Sequence, residues 1–104
     1  MTYSRVIGTG SYLPEKVLTN ADLERMVDTT DQWIRERSGV VTRCFVSPGT
    51  ATSDLGVAAA KGALDMAGIT GDEVDMIVFA TMTPDYFFPG CGGLLQSKLD
   101  MKSI

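Results

Sequence analysis

Two side chains near the front of the chain have the types and the spacing to bind a ligand. Trp33, the one tryptophan, is followed four residues later by Arg37, and side chains at that spacing share a helix face. An indole beside a guanidinium forms a flat, cationic surface that can stack on a purine and bind a phosphate. The alternative is ordinary packing, with Trp33 half-buried and Arg37 paired with Glu36 or Asp31. From the residue types alone, packing is the more common outcome.

The two cysteines could supply a nucleophile, but the chain holds no histidine to activate one. Cys91 lies near the N-terminus of a predicted helix, where a thiolate is stabilised. Without a base, we interpret Cys91 as a small buried side chain, and Cys44, in an apolar segment, as packing. No set of Cys, Asp or Glu residues has the spacing of a closed metal site. The sequence therefore predicts no catalytic residue and no metal within the chain.

The segment Gly8-Thr9-Gly10 follows a predicted strand, as the first glycines of a dinucleotide-binding turn do. The third glycine of that motif would fall at position 13, which is Leu13, and Pro14 stands where the helix should begin. We therefore interpret the two glycines as positions where the backbone packs closely against another element.

The composition is that of a globular domain and argues against a nucleic-acid-binding or a membrane-spanning protein. The 104 residues are 44% hydrophobic and 21% charged, as in ordinary globular domains, and the formal net charge is −4. Because there is no basic stripe, no nucleic-acid partner is expected. No apolar run reaches the roughly 18 residues of a membrane span, and the N-terminus has no signal-peptide core. We therefore expect a cytoplasmic location and no membrane partner.

Helix signals surround the tryptophan and the arginine. Thr29 and Gln32 have the spacing of a capping box, so a short helix should begin there and end at Gly39. Periodicity and turn residues predict the neighbouring elements. In chain order these are a strand at 3–11, a loop at 13–16, a helix at 21–27 capped by Thr19 or Asn20, and a strand at 40–46.

The second half of the chain predicts a β–α–β unit with a right-handed crossover. Its long helix should be capped by Thr50, Thr52 or Ser53 and should end at Gly68. The apolar run 74–80 is typical of a strand covered on both faces. The elements expected after it are a loop at 81–88, where open α/β sheets place ligands, a helix at 90–99, and a new strand beginning within 101–104.

Three stretches resemble the N-terminus of β-ketoacyl-acyl-carrier-protein synthase III, and the resemblance runs through all 104 residues. They are Gly8-Thr9-Gly10-Ser11-Tyr12-Leu13-Pro14, Thr19-Asn20-Ala21-Asp22-Leu23, and Thr29-Thr30-Asp31-Gln32-Trp33-Ile34-Arg35-Glu36-Arg37-Ser38-Gly39. The resemblance implies a thiolase-like layered α/β fold. Residues 1–104 would form the N-terminal part of its first half, an incomplete mixed sheet with helices. The catalytic Cys, His and Asn of the family would then lie beyond Ile104.

The resemblance also implies roles for particular residues. Thr29, Trp33 and Arg37 would hold the adenine end of coenzyme A. Phe88 would reach across a dimer and help to close the partner's acyl pocket, whereas generic core packing is its alternative. Met82 stands where a smaller residue is frequent, and Gly90-Cys91-Gly92-Gly93 replaces a Ser/Ala-rich turn. The mouth of the acyl pocket is therefore expected to differ, and acetyl-CoA need not be the preferred primer.

The function implied by the resemblance is the start of fatty-acid synthesis in a homodimer. An acyl group passes from acyl-CoA, the substrate, to a Cys thiolate and condenses with malonyl-acyl-carrier protein, without a cofactor. Relatives that prime polyketides, make alkylquinolones or join two acyl chains head to head remain alternatives. A non-enzymatic dimerisation or binding module is an alternative of another class. The 104 residues alone are expected to be inactive and to associate, because a cut sheet exposes unpaired edges.

Overall fold

The computed structural model describes residues 1–102. Two compact units divide the chain. Leu13–Gly49 forms the small unit, and Met1–Tyr12 with the chain from Thr50 onward forms the large unit. The strand expected to begin within 101–104 falls partly on residues 103–104, which lie outside the described residues.

The small unit consists of two short strands and two helices. In chain order they are β1 Lys16–Thr19, α1 Asn20–Met26, α2 Asp31–Ser38 and β2 Thr42–Phe45. The strands pair antiparallel, with Lys16 opposite Phe45 and Thr19 opposite Thr42. Both helices and the second strand confirm the sequence predictions. The strand β1 was not predicted, because its four residues are too few to show an alternating pattern and it begins inside the predicted loop.

The helix caps of the small unit follow local chemistry, with one correction. Thr19 caps α1 as predicted, since its hydroxyl accepts a bond from the Asp22 amide at 3.2 Å. The cap of α2 is Thr30, whose hydroxyl accepts from the Trp33 amide at 3.1 Å. The prediction of Thr29 as the cap was wrong by one residue, because the capping distance of three residues runs from Thr30 to the third helical amide. Gly39 ends α2 at φ 73°, as predicted.

The large unit contains α3 Thr52–Ala67, a 3₁₀ turn Gly71–Glu73 and α4 Gly92–Lys98. The long helix ends at Gly68 and the last helix lies within the predicted range. The predicted caps of α3 were wrong: the N-cap is Ala51, and the Asp54 carboxylate accepts from its amide at 2.8 Å. The carboxylate at the third helical position accepts from the amide of the N-cap residue, which is one half of a capping box and needs no hydroxyl on that residue.

Residues 3–11 and 74–80 were predicted to be strands, and neither forms one in the part of the chain that the structure describes. Within residues 1–102, no backbone bond joins either segment to a neighbouring strand. A strand needs a hydrogen-bonded ladder, so the β–α–β unit is not formed. The run 74–80 is not covered on both faces either, because Val78 is 85% and Met76 is 76% exposed.

The interpretation of Gly8 and Gly10 as close-packing positions is confirmed. A Cβ built on Gly8 would collide with the carbonyl oxygen of Ala63, and one on Gly10 with that of Ala59. Residues 8–10 therefore lie against the backbone of α3 with no room for a side chain between them. Gly62 of α3 faces Gly10 in the same contact.

Replacing Gly10 with alanine is expected to lower the free energy of unfolding by about 1–3 kcal/mol, the usual cost of overpacking. The new Cβ meets a backbone oxygen that cannot rotate away. The matched control is Gly62→Ala, whose Cβ would lie 3.6 Å from the Gly10 Cα, an ordinary contact. In a helix interior alanine is favoured over glycine by about 1 kcal/mol. Urea denaturation that finds Gly10→Ala as stable as Gly62→Ala would contradict the close contact.

Candidate functional site

Trp33 and Arg37 form one surface on α2, which we call the Trp33 platform. The Arg37 Cζ lies 5.8 Å from the centroid of the indole ring, within the roughly 6 Å at which a cation is attracted to an aromatic face. The indole is 57% exposed, so a planar ligand has access to it. Trp33 and Arg37 therefore share one face of α2, as their spacing in the sequence predicts.

A concavity of about 200 Å³ opens beside the indole. Its lining residues are Asp28, Thr29, Thr30 and Trp33. The structure thus brings two of the three predicted coenzyme A residues, Thr29 and Trp33, to one concavity. The third, Arg37, lies over the indole ring of Trp33. Both hydroxyls at the rim can accept or donate a bond, although Thr30 already accepts from the Trp33 amide.

Two acidic residues of α2, Asp31 and Glu36, bind partners other than Arg37. Asp31 pairs with Arg35 at 3.0 Å, and Glu36 accepts a bond from Gln32 at 2.8 Å. Within residues 1–102 no salt bridge involves Arg37. The sequence alternative, in which Arg37 pairs with Glu36 or Asp31, is therefore wrong for this structure. The guanidinium is exposed and has no ion-pair partner among the described carboxylates.

A buried asparagine fixes the start of α2. Asn20 is 2% exposed, and its amide nitrogen donates to Asp31 at 2.8 Å and to the Val40 carbonyl at 2.9 Å. Its amide oxygen accepts from Arg43 at 2.7 Å. The bond from Asn20, followed by that from Arg35, lowers the pKa of Asp31 below its ordinary value. The first residue of α2 therefore stays charged and anchored at neutral pH.

The other two predicted site residues lie in the large unit. Met82 is 93% and Phe88 is 92% exposed. Both belong to the 81–90 loop, defined as the residues between the 74–80 segment and Cys91, the N-cap of α4. The alternative of generic core packing is wrong for Phe88 in this structure. The Trp33 platform and this loop belong to different units and are described separately.

A polar cluster at the start of α3 was missed by the sequence analysis. We call Ser53, Asp85, Cys91 and Lys98 the Asp85 cluster. Asp85 accepts from the Ser53 amide at 2.7 Å and from its hydroxyl at 2.6 Å. Lys98 donates to the same hydroxyl at 2.6 Å. Ser53 is 32 residues from Asp85 and 45 from Lys98 in the sequence, so no local pattern could have shown that the serine joins the other three residues.

The charges and burial of the Asp85 cluster are those of a structural network. The bonds from Ser53 lower the pKa of Asp85, and the bond to Asp54 raises the pKa of Lys98. Cys91 is 4% exposed, and its thiol donates to Asp85 at 3.4 Å. Cys91 is therefore the small buried side chain that the sequence predicts.

The described part of the chain offers neither a metal site nor a membrane-spanning helix. Residues 1–102 contain no group of three or more His, Cys, Asp or Glu placed to hold a metal ion. Over the same residues, no helix has both the length and the apolar character needed to cross a bilayer.

No protein-family profile matches the chain. It is 52% identical over 101 residues to β-ketoacyl-[acyl-carrier-protein] synthase III of Thiobacillus denitrificans, covering 97% of this chain and 32% of the relative. The crystal structure of 3-oxoacyl-[acyl-carrier-protein] synthase III from Aquifex aeolicus is 44% identical, with a TM-score of 0.83 over 94% of this chain and 32% of that one.

A second similar structure belongs to a polyketide pathway. It is the priming β-ketosynthase of the R1128 polyketide biosynthetic pathway, 33% identical with a TM-score of 0.82, covering 92% of this chain and 29% of that one. The chain spans about a third of the length of the curated relatives it matches. The expected thiolase-like α/β fold is confirmed by these structures. The chain is homologous to the N-terminal third of β-ketoacyl-[acyl-carrier-protein] synthase III.

Proposed function

We propose that the chain is the N-terminal third of a condensing enzyme, called the intact enzyme below, that starts fatty-acid synthesis. The intact enzyme takes an acyl group from acyl-CoA onto a cysteine and joins it, with loss of carbon dioxide, to malonyl-acyl-carrier protein. The observation that carries the proposal is 52% identity to a synthase III across 97% of the chain. The catalytic Cys, His and Asn would lie outside these residues, and no cofactor is required.

The proposed contribution of the small unit is coenzyme A binding. The indole of Trp33 stacks on the adenine, and the Arg37 guanidinium pairs with a phosphate. Thr29 lines the same concavity and contacts the adenine end. The exposure of the indole and the lack of a carboxylate partner for Arg37 within residues 1–102 support this assignment over packing.

The proposed contribution of the large unit is to the acyl pocket. Met82 and Phe88 expose nearly their whole side chains to solvent, and such side chains gain free energy when an apolar surface covers them. In the proposed cytoplasmic homodimer, Phe88 helps to close the acyl pocket of the partner subunit. Met82 and the glycine-rich segment after Pro89 shape its mouth.

Priming of a polyketide is the second candidate. It is favoured by the similarity to the R1128 priming β-ketosynthase and by the bulky Met82 in the 81–90 loop. The two candidates differ in the acyl-CoA that the intact enzyme prefers. A preference for acetyl-CoA supports fatty-acid initiation, and a preference for a longer or branched primer supports the second candidate.

The test is acyl transfer followed by condensation. We expect the intact enzyme, incubated with acyl-CoA, to gain one acyl group on a cysteine outside these 104 residues, as located by mass spectrometry. Malonyl-acyl-carrier protein should then discharge that cysteine. The 104 residues alone, as the control, should show no turnover. Acylation of Cys91 followed by turnover would overturn the assignment of Cys91 as a buried structural residue.

A further inference from the structure

The 81–90 loop has an unusual division between exposed and buried side chains. Its large apolar residues Met82, Phe87 and Phe88 are more than 90% exposed. The carboxylate of Asp85, in contrast, is only 8% exposed. Aspartate is almost never buried unless it is paired, so the loop is held by its charged residue and not by its apolar ones.

The bonds of Asp85 join the loop to two helices. At the first turn of α3 it accepts from the amide and the hydroxyl of Ser53, which is fully buried. At the start of α4 it accepts from the Cys91 thiol at 3.4 Å. Lys98 lies 4.0 Å from Asp85 and binds the same Ser53 hydroxyl. Loss of the carboxylate would leave these buried donors without their acceptor, which is costly.

A second bond holds the loop two residues earlier. The Thr52 hydroxyl donates to the Thr83 carbonyl at 2.5 Å. The two attachments to α3 lie between Met82 on one side and Phe88 on the other. The positions of both exposed side chains therefore depend on where α3 holds the backbone between them.

The charge state of the cluster keeps this attachment at neutral pH. The pKa of Asp85 is lowered chiefly by the Ser53 hydroxyl, and the pKa of Lys98 is raised chiefly by Asp54. Asp85 is therefore deprotonated and Lys98 is protonated at pH 7. Hydrogen bonds to ionised groups are about twice as strong as neutral ones.

We propose that Asp85 is a positioning residue that fixes the 81–90 loop on α3 and thereby sets which acyl chain the intact enzyme accepts. The proposal rests on the proposed function, since it acts through Met82 and Phe88. Asp85 itself touches neither substrate nor reacting atoms. An apolar pocket discriminates between acyl chains that differ by one methylene by a factor of about 10–200 in kcat/KM. This discrimination requires the residues that line the pocket to be held in fixed positions.

The experiment compares Asp85→Asn with Asp54→Asn in the intact enzyme. The control removes the other carboxylate that Lys98 binds, at 2.7 Å, and leaves the bonds of Asp85 in place. The first readout is the ratio of kcat/KM for a short and a longer acyl-CoA. We expect Asp85→Asn to change that ratio by about tenfold, which is the lower end of the discrimination that one methylene gives. We expect Asp54→Asn to leave the ratio unchanged.

The second readout is amide hydrogen exchange in residues 81–90, which needs no activity. It should rise about tenfold in Asp85→Asn relative to Asp54→Asn, because loop opening becomes easier once a charge-assisted attachment is lost. Thr52→Val, which removes the other attachment, should shift both readouts in the same direction. An unchanged ratio in Asp85→Asn and Thr52→Val would overturn the proposal, as would equal exchange in Asp85→Asn and Asp54→Asn. Wild-type intact enzyme without acyl transfer from acyl-CoA would instead overturn the proposed function, and the claim on acyl selection with it.

Discussion

Replacing Trp33 with alanine in the intact enzyme is expected to weaken acyl-CoA binding by about 1–3 kcal/mol, the usual value of one aromatic stack on a base. That loss corresponds to about a 5- to 150-fold higher dissociation constant. The indole offers an open face beside the concavity at Thr29, and nothing else in the concavity is aromatic. The KM for acyl-CoA should rise, whereas discharge of the acyl-cysteine by malonyl-acyl-carrier protein should change less.

The measurement is the rate of cysteine acylation at low acyl-CoA concentration. Trp33→Phe should recover much of the rate, because a smaller ring still stacks. Arg37→Ala should add a loss that shrinks as salt is raised, since a phosphate contact is partly electrostatic. Thr19→Ala is the matched control for folding: it removes the hydroxyl that caps α1, at about 0.5–2 kcal/mol of stability, and Thr19 is not among the residues that line the concavity. If Trp33→Ala melts earlier but acylates at the wild-type rate, Trp33 is a packing residue.

Replacing Asn20 with alanine is expected to lower the free energy of unfolding by about 3 kcal/mol, since each buried polar group left unpaired costs about 1–3 kcal/mol. The substitution removes the acceptor of Arg43 and the donor to the Val40 carbonyl. It also releases Asp31, the first residue of the helix that carries Trp33. The substitution should therefore lower the stability of the protein and also disturb the geometry of the Trp33 platform.

The matched control for Asn20 is another side-chain amide in the same unit. Gln32 bonds Glu36 on the exposed surface of α2, where such pairs contribute about 0.2–0.5 kcal/mol. Urea denaturation should therefore separate Gln32→Ala from Asn20→Ala by about 2 kcal/mol or more. Similar losses in the two variants would show that the three bonds of Asn20 contribute little to folding.

The features that the sequence predicts well are those set by neighbouring residues. The helix end at Gly39, the Thr19 cap and the shared face of Trp33 and Arg37 all depend on contacts within about one helical turn. The prediction of Thr29 as the cap failed because the adjacent residue, Thr30, is also a threonine that can cap a helix. Local chemistry therefore locates an element better than it locates its first residue.

The features that the sequence predicts poorly depend on distant partners. The runs 3–11 and 74–80 have strand-like composition, but a strand exists only where another strand pairs with it, and no such pairing is described within residues 1–102. The Asp85 cluster fails for the same reason, because Ser53 and Asp85 are separated by a helix and the 74–80 segment. Its serine was interpreted as a helix cap, which is the common local use of that residue.

The contact of Gly8 and Gly10 with α3 limits the amino-acid substitutions that these two positions can accept during evolution. Each glycine faces a main-chain oxygen of the helix, at Ala63 and Ala59. Every residue type carries that oxygen, so no exchange of the alanines can make space for a side chain at position 8 or 10. Compensation would require the whole segment to move away from the helix, which point mutations do not achieve one at a time. These two positions are therefore expected to admit glycine alone for as long as the contact is kept.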